Sequence, residues 1–327
     1  MNAASVAAIE YVLPERCETN EDLVREFPDL SATRMFAKTG IASRRIASEN
    51  ECASDLAVRA AQRLFATGVC EAGEIDFVLF CTQTPDYILP TTACSIQARL
   101  GVSQAAGALD FNLGCSGYIY GLSLAKGLIE TGQARAILLL TGDTYSKLIE
   151  PGDRNVRSIF GDAATATLLR AEALDRPAIG PFVFGTDGGG AENLMVRSGG
   201  FRNPAGVGST PKLEMNGPEI FNFTLRVVPD SVSQLLARAS TKEEEVDLFV
   251  PHQANSYMLE HLRKKMNIAP AKFYIGMRDF GNTVSSSIPI ALKDAAAAGL
   301  LHRESLAMLL GFGVGYSWGG CFLHWRA

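Results

Sequence analysis

Glu74-Ile75-Asp76-Phe77-Val78-Leu79-Phe80 returns as Glu245-Val246-Asp247-Leu248-Phe249-Val250-Pro251, 171 residues further along the chain. Ala136-Ile137-Leu138-Leu139-Leu140 returns as Ala307-Met308-Leu309-Leu310-Gly311 at the same offset, and Ala125-Lys126-Gly127-Leu128 sits against Ala297-Ala298-Gly299-Leu300 at an offset of 172. Each match is weak alone. Three in order at nearly one offset divide the chain into similar halves, 1–170 and 171–327, and an internal repeat constrains a fold more than any local propensity. Within each half short apolar runs alternate with longer helical patterns, as in an α/β protein whose sheets are covered on both faces. Strands are expected at 77–80, 108–111, 136–140, 165–169, 248–250, 307–310 and 321–324, and helices at 54–66, 93–100, 116–130, 219–239, 255–266 and 286–298. Pairing the halves sets Cys115 opposite Ser286, each at a strand-to-helix corner. A pseudo-twofold axis would bring the two corners together at the centre of the molecule.

With 47% of its 327 residues apolar and 20% charged, the chain can bury a large core. No apolar run reaches the roughly 18 residues that a spanning helix needs. The start, MNAASVAAIEYVLPE, lacks the basic and long apolar segments of a signal peptide. A cytoplasmic protein without a membrane partner is expected. The formal charge of -5, with no basic stripe, sets nucleic acid aside as a partner. Seven cysteines, irregularly spaced and without a CxxC, indicate neither a zinc site nor a disulfide framework. Six of them read as small apolar fillers.

Cys115 stands apart. It lies in Phe111-Asn112-Leu113-Gly114-Cys115-Ser116-Gly117-Tyr118, after an apolar run and before a helical pattern. At a helix start, unpaired N–H groups and the helix dipole lower a thiol pKa, and flanking glycines leave room for a substrate. A nucleophile fits that setting, and so does a buried cysteine in a tight turn. Val250-Pro251-His252-Gln253-Ala254-Asn255 places His252 at the C-terminal edge of a sheet, where open α/β folds hold ligands. A lone histidine there is equally a structural one, and His261, His302 and His324 read as structural. Asn282, within Phe280-Gly281-Asn282-Thr283-Val284-Ser285-Ser286-Ser287, reads in isolation as part of a helix cap. Its place opposite Cys115 in the repeat argues for catalysis. The glycine-rich stretch 311–320 lacks both the phosphate-loop and the dinucleotide pattern, and its N–H groups suit a carbonyl oxygen.

Together these stretches resemble the ketoacyl synthase III (3-oxoacyl-acyl-carrier-protein synthase III) family of thiolase-fold condensing enzymes. The similarity covers essentially the whole chain and includes Lys38-Thr39-Gly40-Ile41, Asp153-Arg154 and Ile159-Phe160-Gly161-Asp162. The ordered set of Cys, HQAN, GNT and GFGxGxxWG is specific where each piece is not. The resemblance implies a duplicated, five-layered α-β-α-β-α homodimer of cytoplasmic lipid metabolism and fatty acid biosynthesis. It implies acylation of Cys115 by a thioester primer, then decarboxylative Claisen condensation with malonyl-acyl carrier protein. His252 and Asn282 would bind the malonyl thioester carbonyl, and the N–H groups of Cys115 and Val314 would form the oxyanion hole. Acyl-CoA and acyl carrier protein are the implied partners, with no metal or other cofactor.

Departures bear on the substrate. Arg34 stands where the family carries an adenine-stacking tryptophan, while Arg154 retains the adenine-side arginine and Phe160 keeps a substrate-binding place. Tyr257 replaces a carrier-docking arginine, leaving Arg263, Lys264 and Lys265 on the same helix for an acidic carrier or simply for solvent. Leu89, smaller than the usual pocket phenylalanine, suggests room for longer or branched primers. Two other activities stay open: acyl transfer from Cys115 to an oxygen, nitrogen or sulfur nucleophile, and an inactive partner subunit. A redox-sensing thiol would need a resolving cysteine, and none lies at short range in the sequence.

Overall fold

The computed structural model describes residues 2–204 and 211–327. The first half comprises β1 (Asn2–Val12), β2 (Arg16–Thr19), α1 (Asn20–Glu26), α2 (Ala32–Thr39), β3 (Ser43–Ile46), α3 (Ala53–Ala66), β4 (Phe77–Cys81), α4 (Thr92–Leu100), β5 (Gly107–Phe111), α5 (Gly117–Glu130), β6 (Ala136–Asp143), α6 (Arg154–Arg157) and β7 (Ala163–Ala173). The second comprises β8 (Ile179–Thr186), β9 (Leu194–Val196), β10 (Leu213–Met215), α7 (Gly217–Ala239), β11 (Leu248–Pro251), α8 (Ser256–Lys265), α9 (Ser287–Ala297), β12 (Leu306–Gly313) and β13 (Ser317–His324). The crossing from one half to the other lies beyond Ala173, where β7 ends.

The first sheet runs β1-β7-β6-β4-β5 and the second β8-β13-β12-β11. In both, the two strands that carry the repeat pair in parallel, β4 with β6 and β11 with β12, and the next two join antiparallel. The fifth strand survives in the second half only as a parallel bridge from Phe249 to Phe273.

The sequences of the helices decide the layering. GYIYGLSLAKGLIE in α5 is apolar nearly all round, so it belongs between two sheets. There it packs with α9 in one core, where Ile119, Leu122, Ile288 and Leu292 meet Leu79 and Leu309 from opposite sheets. The helices α3 and α4, apolar on one face, cover the outside of the first sheet, and α7 and α8 the outside of the second. The result is the expected α-β-α-β-α stack.

The structure shifts the repeat by a residue in places. Asp76 accepts N–H bonds from Arg135 and Ala136 as Asp247 does from Leu306, so Ala136 corresponds to Leu306 rather than to Ala307. A one-residue slip exchanges the faces of a strand, and here the buried β6 and β12 tolerate apolar residues on both faces. The match between Gly127 and Gly299 is coincidental. Gly299 ends α9 in the left-handed conformation (φ 73°), and its counterpart at the end of α5 is Gly132 (φ 76°). At the other ends, Ser116 (φ -88°, ψ -11°) and Ser286 (φ -80°, ψ -11°) take nearly the same backbone angles just ahead of α5 and α9. Cys115 therefore faces Ser285, not Ser286.

Candidate active site

The corner between β5 and α5 is buried and tight. A Cβ on Gly117 would stand 2.2 Å from Cys81 Sγ, so only glycine lets the helix start so close to β4. From the other half, a Cβ on Gly313 would stand 3.0 Å from both Cβ and Sγ of Cys115. Glycine at the end of β12 thus makes room for the sulfur of Cys115, a residue that is 7% exposed. Burial pushes the Cys115 thiol up to about 12, and the carboxylate of Asp143 adds to the rise. The backbone N–H of Cys115 at the helix start lowers it, but burial outweighs that, contrary to the reading from sequence.

His252 follows β11, its N–H bonded to Leu310 O at 2.7 Å and its Nδ1 2.7 Å from Ser287 Oγ. Ser287 Oγ also accepts the Gln253 N–H at 3.3 Å. Enclosed beside Phe312, the imidazole is pushed down to about 3 by burial and is neutral at physiological pH. Asn282 is pinned by its backbone, whose N–H donates to Ile159 O and whose carbonyl accepts from Gly161. Its Oδ1 accepts the Val284 N–H at 2.9 Å, which leaves the amide hydrogens for the site. That bond holds Val284 at φ 53°, a left-handed conformation that a β-branched residue adopts only when its surroundings impose it.

Cys115, His252 and Asn282, drawn from both halves, line one cavity of about 650 Å³. Phe160, Leu194, Met215 and Ile220 form its apolar wall, and Lys38, Asn155 and Tyr257 stand on its lining as well. The arrangement brings a thiol, a neutral imidazole and a carboxamide into a largely apolar enclosure, which suits a neutral thioester.

The other candidates divide. Phe160 lies in the wall, and Val314, in the connection between β12 and β13, packs against the cluster around Cys115. Arg154 pairs with Asp29, next to the wall residues Asp153 and Asn155. Arg34 sits in the first turn of α2, exposed and off the wall. Leu89 is 78% exposed, in a row with the exposed Tyr87 and Ile88, and does not reach the cavity within one chain. Arg263 is folded back onto Glu260 and the Ile268 carbonyl, and Lys265 bonds the Leu225 carbonyl, so Lys264 is the freest cation of the three. Ser287 and Asp143 escaped the sequence reading. Ser287 lay in a run already read as a helix cap, and no periodicity marks Asp143 at the end of β6. Asp143 accepts Ser285 Oγ at 2.6 Å and the Gln83 N–H at 2.7 Å, and burial pushes it up to about 7.

A duplicated five-layered α/β fold with a cysteine, a histidine and an asparagine meeting at its centre is the architecture of the thiolase-fold condensing enzymes. The profile of 3-oxoacyl-[acyl-carrier-protein (ACP)] synthase III matches residues 109–188, and the profile of that family's C-terminal portion matches residues 236–325. A beta-ketoacyl-[acyl-carrier-protein] synthase III of Caldanaerobacter subterraneus subsp. tengcongensis is 35% identical, over 99% of this chain and 98% of its own length. A crystal structure of a 3-oxoacyl-(acyl-carrier-protein) synthase III superposes with a TM-score of 0.96 at 52% identity, covering 99% of this chain and 100% of the other. The 3-oxoacyl-(acyl-carrier protein) synthase of Burkholderia xenovorans LB400 superposes with a TM-score of 0.93 at 38% identity, covering 99% and 94%. The chain belongs to the 3-oxoacyl-[acyl-carrier-protein] synthase III family.

Proposed function

We propose that the protein joins an acyl primer to a malonyl unit on acyl carrier protein. The Cys115 thiol attacks the primer thioester, the donor thiol leaves, and the acyl group stays on sulfur. Malonyl-acyl carrier protein then places its thioester carbonyl between His252 and Asn282. Loss of carbon dioxide leaves an enolate, whose carbon attacks the acyl-Cys115 carbonyl, expels the thiolate and gives a 3-oxoacyl thioester. The observation that carries this reading is the pairing of two neutral donors. His252 is a neutral imidazole with one N–H to donate, its ring fixed by Ser287 Oγ 2.7 Å from Nδ1 and by the Val284 backbone. Asn282 has its oxygen occupied by Val284 and its amide hydrogens free. Decarboxylation makes the carbanion without a base, so what it needs is stabilisation of the enolate oxygen.

The N–H groups of Cys115 and Val314 serve as the oxyanion hole for the acyl carbonyl in this reading, and no cofactor is needed beyond the thioesters. Lys264 is the best-placed cation for an acidic carrier, and acyl-CoA is a donor that can reach Cys115 past Lys38 and Tyr257. Two features support a homodimer: the unpaired edge of β5 and the exposed apolar row from Tyr87 to Leu89. In that assembly Leu89 lies across the subunit contact, near a partner's acyl site. No helix among the described residues is long and apolar enough to cross a membrane, and we place the enzyme in the cytoplasm.

Intact-protein mass after incubation with acyl thioesters, followed by malonyl-acyl carrier protein, tests the reading. An adduct that needs Cys115 and is discharged by malonyl with loss of carbon dioxide supports condensation. An adduct discharged only by an alcohol, amine or thiol would replace condensation with simple transfer.

A further inference from the structure

The end of β12 and the start of β13 lie across the corner that carries Cys115. Gly313 pairs with Ser317, so Val314, Gly315 and Tyr316 form the connection between the two strands. Three glycines make the approach close. A Cβ on Gly311 would stand 2.8 Å from Ser116 Cα, one on Gly313 3.0 Å from Cys115 Cβ, and one on Gly114 3.0 Å from Val314 Cγ1. Contacts of this kind bring two segments together but have no direction, so they resist sliding only weakly.

One polar contact between the same segments does have direction. Ser116 Oγ and Ser317 Oγ lie 2.8 Å apart although 201 residues separate them in the chain, and the two serines are 1% and 4% exposed. Ser116 follows Cys115, and Ser317 closes the connection that carries Val314. A hydrogen bond holds its length and angle within narrow limits, so this one fixes how the two segments stand along each other. The neighbouring link, from Tyr120 Oη to the Trp318 carbonyl, is 3.3 Å long and starts from the far end of a long side chain, so it constrains them less. Neither serine lines the cavity, and whatever they do for the reaction passes through the backbone.

We propose that the bond between Ser116 and Ser317 holds the N–H groups of Cys115 and Val314 at the spacing a thioester oxyanion needs, which makes the two serines positioning residues for acylation. The inference rests on the oxyanion hole of the function proposed above and adds the residues that keep it rigid. When Cys115 Sγ adds to the primer carbonyl, a sulfur–carbon bond forms and the oxygen takes a negative charge. The carbonyl returns as the bond to the donor sulfur breaks, and the thiol proton ends on the departing thiol. Two N–H groups stabilise that oxygen when both point at it, and a displacement of about 1 Å costs on the order of 100-fold.

A merely structural role would make rate follow stability. Removing one hydroxyl leaves the other buried without a partner, which costs stability, whereas removing both leaves two small apolar groups and costs little. The double variant therefore separates the two roles. Alkylation by iodoacetamide separates them again, because it uses the same sulfur and builds no oxyanion.

The experiment follows acylation of Cys115 by acetyl-CoA and its alkylation by iodoacetamide, with thermal melts of the same samples, in the wild type, Ser116→Ala, Ser317→Ala and the double variant. Each single variant should melt about 2–6 °C lower and acylate about 10- to 100-fold more slowly. The double variant should melt closer to the wild type than either single and still acylate as slowly as they do, while alkylation of the Cys115 peptide stays within about twofold throughout. A double variant that acylates at the wild-type rate overturns the inference, and so does alkylation that falls in step with acylation, since the pair would then hold the thiol or the fold and not the oxyanion donors. Should a single variant fail to fold, the double variant against the wild type decides in the same directions. A wild type that forms no acetyl adduct, with acetyl-CoA or with acetyl on acyl carrier protein, overturns both this inference and the function beneath it.

Discussion

Replacing Gly313 by alanine puts the reasoning about the nucleophile at risk most directly. The new Cβ would stand 3.0 Å from Cβ and Sγ of Cys115, whereas carbon atoms in contact settle about 3.5 Å apart or more, so the cysteine, Cβ and sulfur together, must give by about 0.5 Å. It has somewhere to move, because the cavity of about 650 Å³ opens beside it. Overpacking should therefore cost about 1 kcal/mol, near the low end of its usual range. The smaller backbone freedom of alanine in the unfolded chain offsets about half of that. Chemistry has no such relief, since a displacement of about 1 Å from attack geometry costs on the order of 100-fold. Acylation of Cys115 should fall about 10- to 100-fold, or about 1.4 to 2.7 kcal/mol in the barrier, while the melting temperature barely changes. Gly311→Ala supplies the contrast. Its Cβ would meet Ser116 Cα at 2.8 Å and Cys115 O at 3.0 Å, both backbone atoms, so it should lose stability first. Time courses of acetyl-adduct formation by intact mass, with thermal melts of the same samples, measure both quantities. If Gly313→Ala acylates within about twofold of the wild type, Cys115 is not held in register by the end of β12 and the argument fails.

Asn282→Ala should still form the acyl adduct but discharge it with malonyl about 100- to 1,000-fold more slowly, as expected for loss of one enolate donor. Equal loss in both steps would mean that Asn282 only supports the corner. Gly117→Ala should destabilise the fold by about 1–3 kcal/mol, because its Cβ would press on Cys81 Sγ at 2.2 Å. Cys81→Ala should recover part of that loss in denaturant titrations, and a purely additive pair would rule out the contact as the cause. Two buried groups give opposing pH dependences. His252 falls from 6.5 to about 3 on folding, so the unfolded chain binds the extra proton and stability declines as pH drops below 6.5. Asp143 rises from 3.8 to about 7, so the folded chain binds the extra proton and stability declines as pH rises across that window. Asp143→Asn removes the second slope. Its stability relative to the wild type should therefore climb with pH between about 4 and 7 by as much as about 1.4 kcal/mol per unit, and a constant difference would exclude a titrating Asp143.

Strands that are buried on both faces spell themselves out as continuous apolar runs, and all seven expected strands coincide with β4, β5, β6, β7, β11, β12 and β13. The two long edge strands do not. The first, β1, reads NAASVAAIEYV, rich in alanine, and β8 reads IGPFVFGT, its strand formers interrupted by glycine and proline, so neither shows the continuous apolar run of the buried strands. Both pair at the equivalent edge of their sheets, and the duplication could have supplied each from the other had either been visible. The segment from β2 to β3 has no expected element at all. Its elements are short, and the second half holds β9 and β10 in the corresponding interval, so no repeat signals them. At the site, Cys115 and His252 were legible because each sits where a strand ends and a helix pattern begins, and Asn282 because it precedes a helix at the place opposite Cys115 in the repeat. Ser287 and Asp143 were not, since a hydrogen bond between distant segments leaves no local trace.

The electrostatics of Cys115 were read with the wrong sign, and the magnitudes show why. A helix start favours a negative charge by about 0.3–1 kcal/mol, and by about 2 kcal/mol in partly buried settings. Burial takes the thiol from 9.0 to about 12, which corresponds to about 4 kcal/mol. Proximity to α5 was visible in the chain, whereas the enclosure by β12, Phe160 and Val284, and the charge of Asp143, arise only on folding. The sulfur therefore rests as a thiol, and His252, neutral down to about pH 3, is too weak a base to hold its proton. Alkylation of Cys115 by iodoacetamide, followed on the Cys115 peptide so that exposed Cys17 and Cys94 do not interfere, should then rise about tenfold per pH unit from pH 6 to pH 9 without levelling. A thiolate stabilised by the helix start or by His252 would instead give a plateau near neutrality. That plateau would restore the sequence reading and require the sulfur to meet more compensating charge than its surroundings provide.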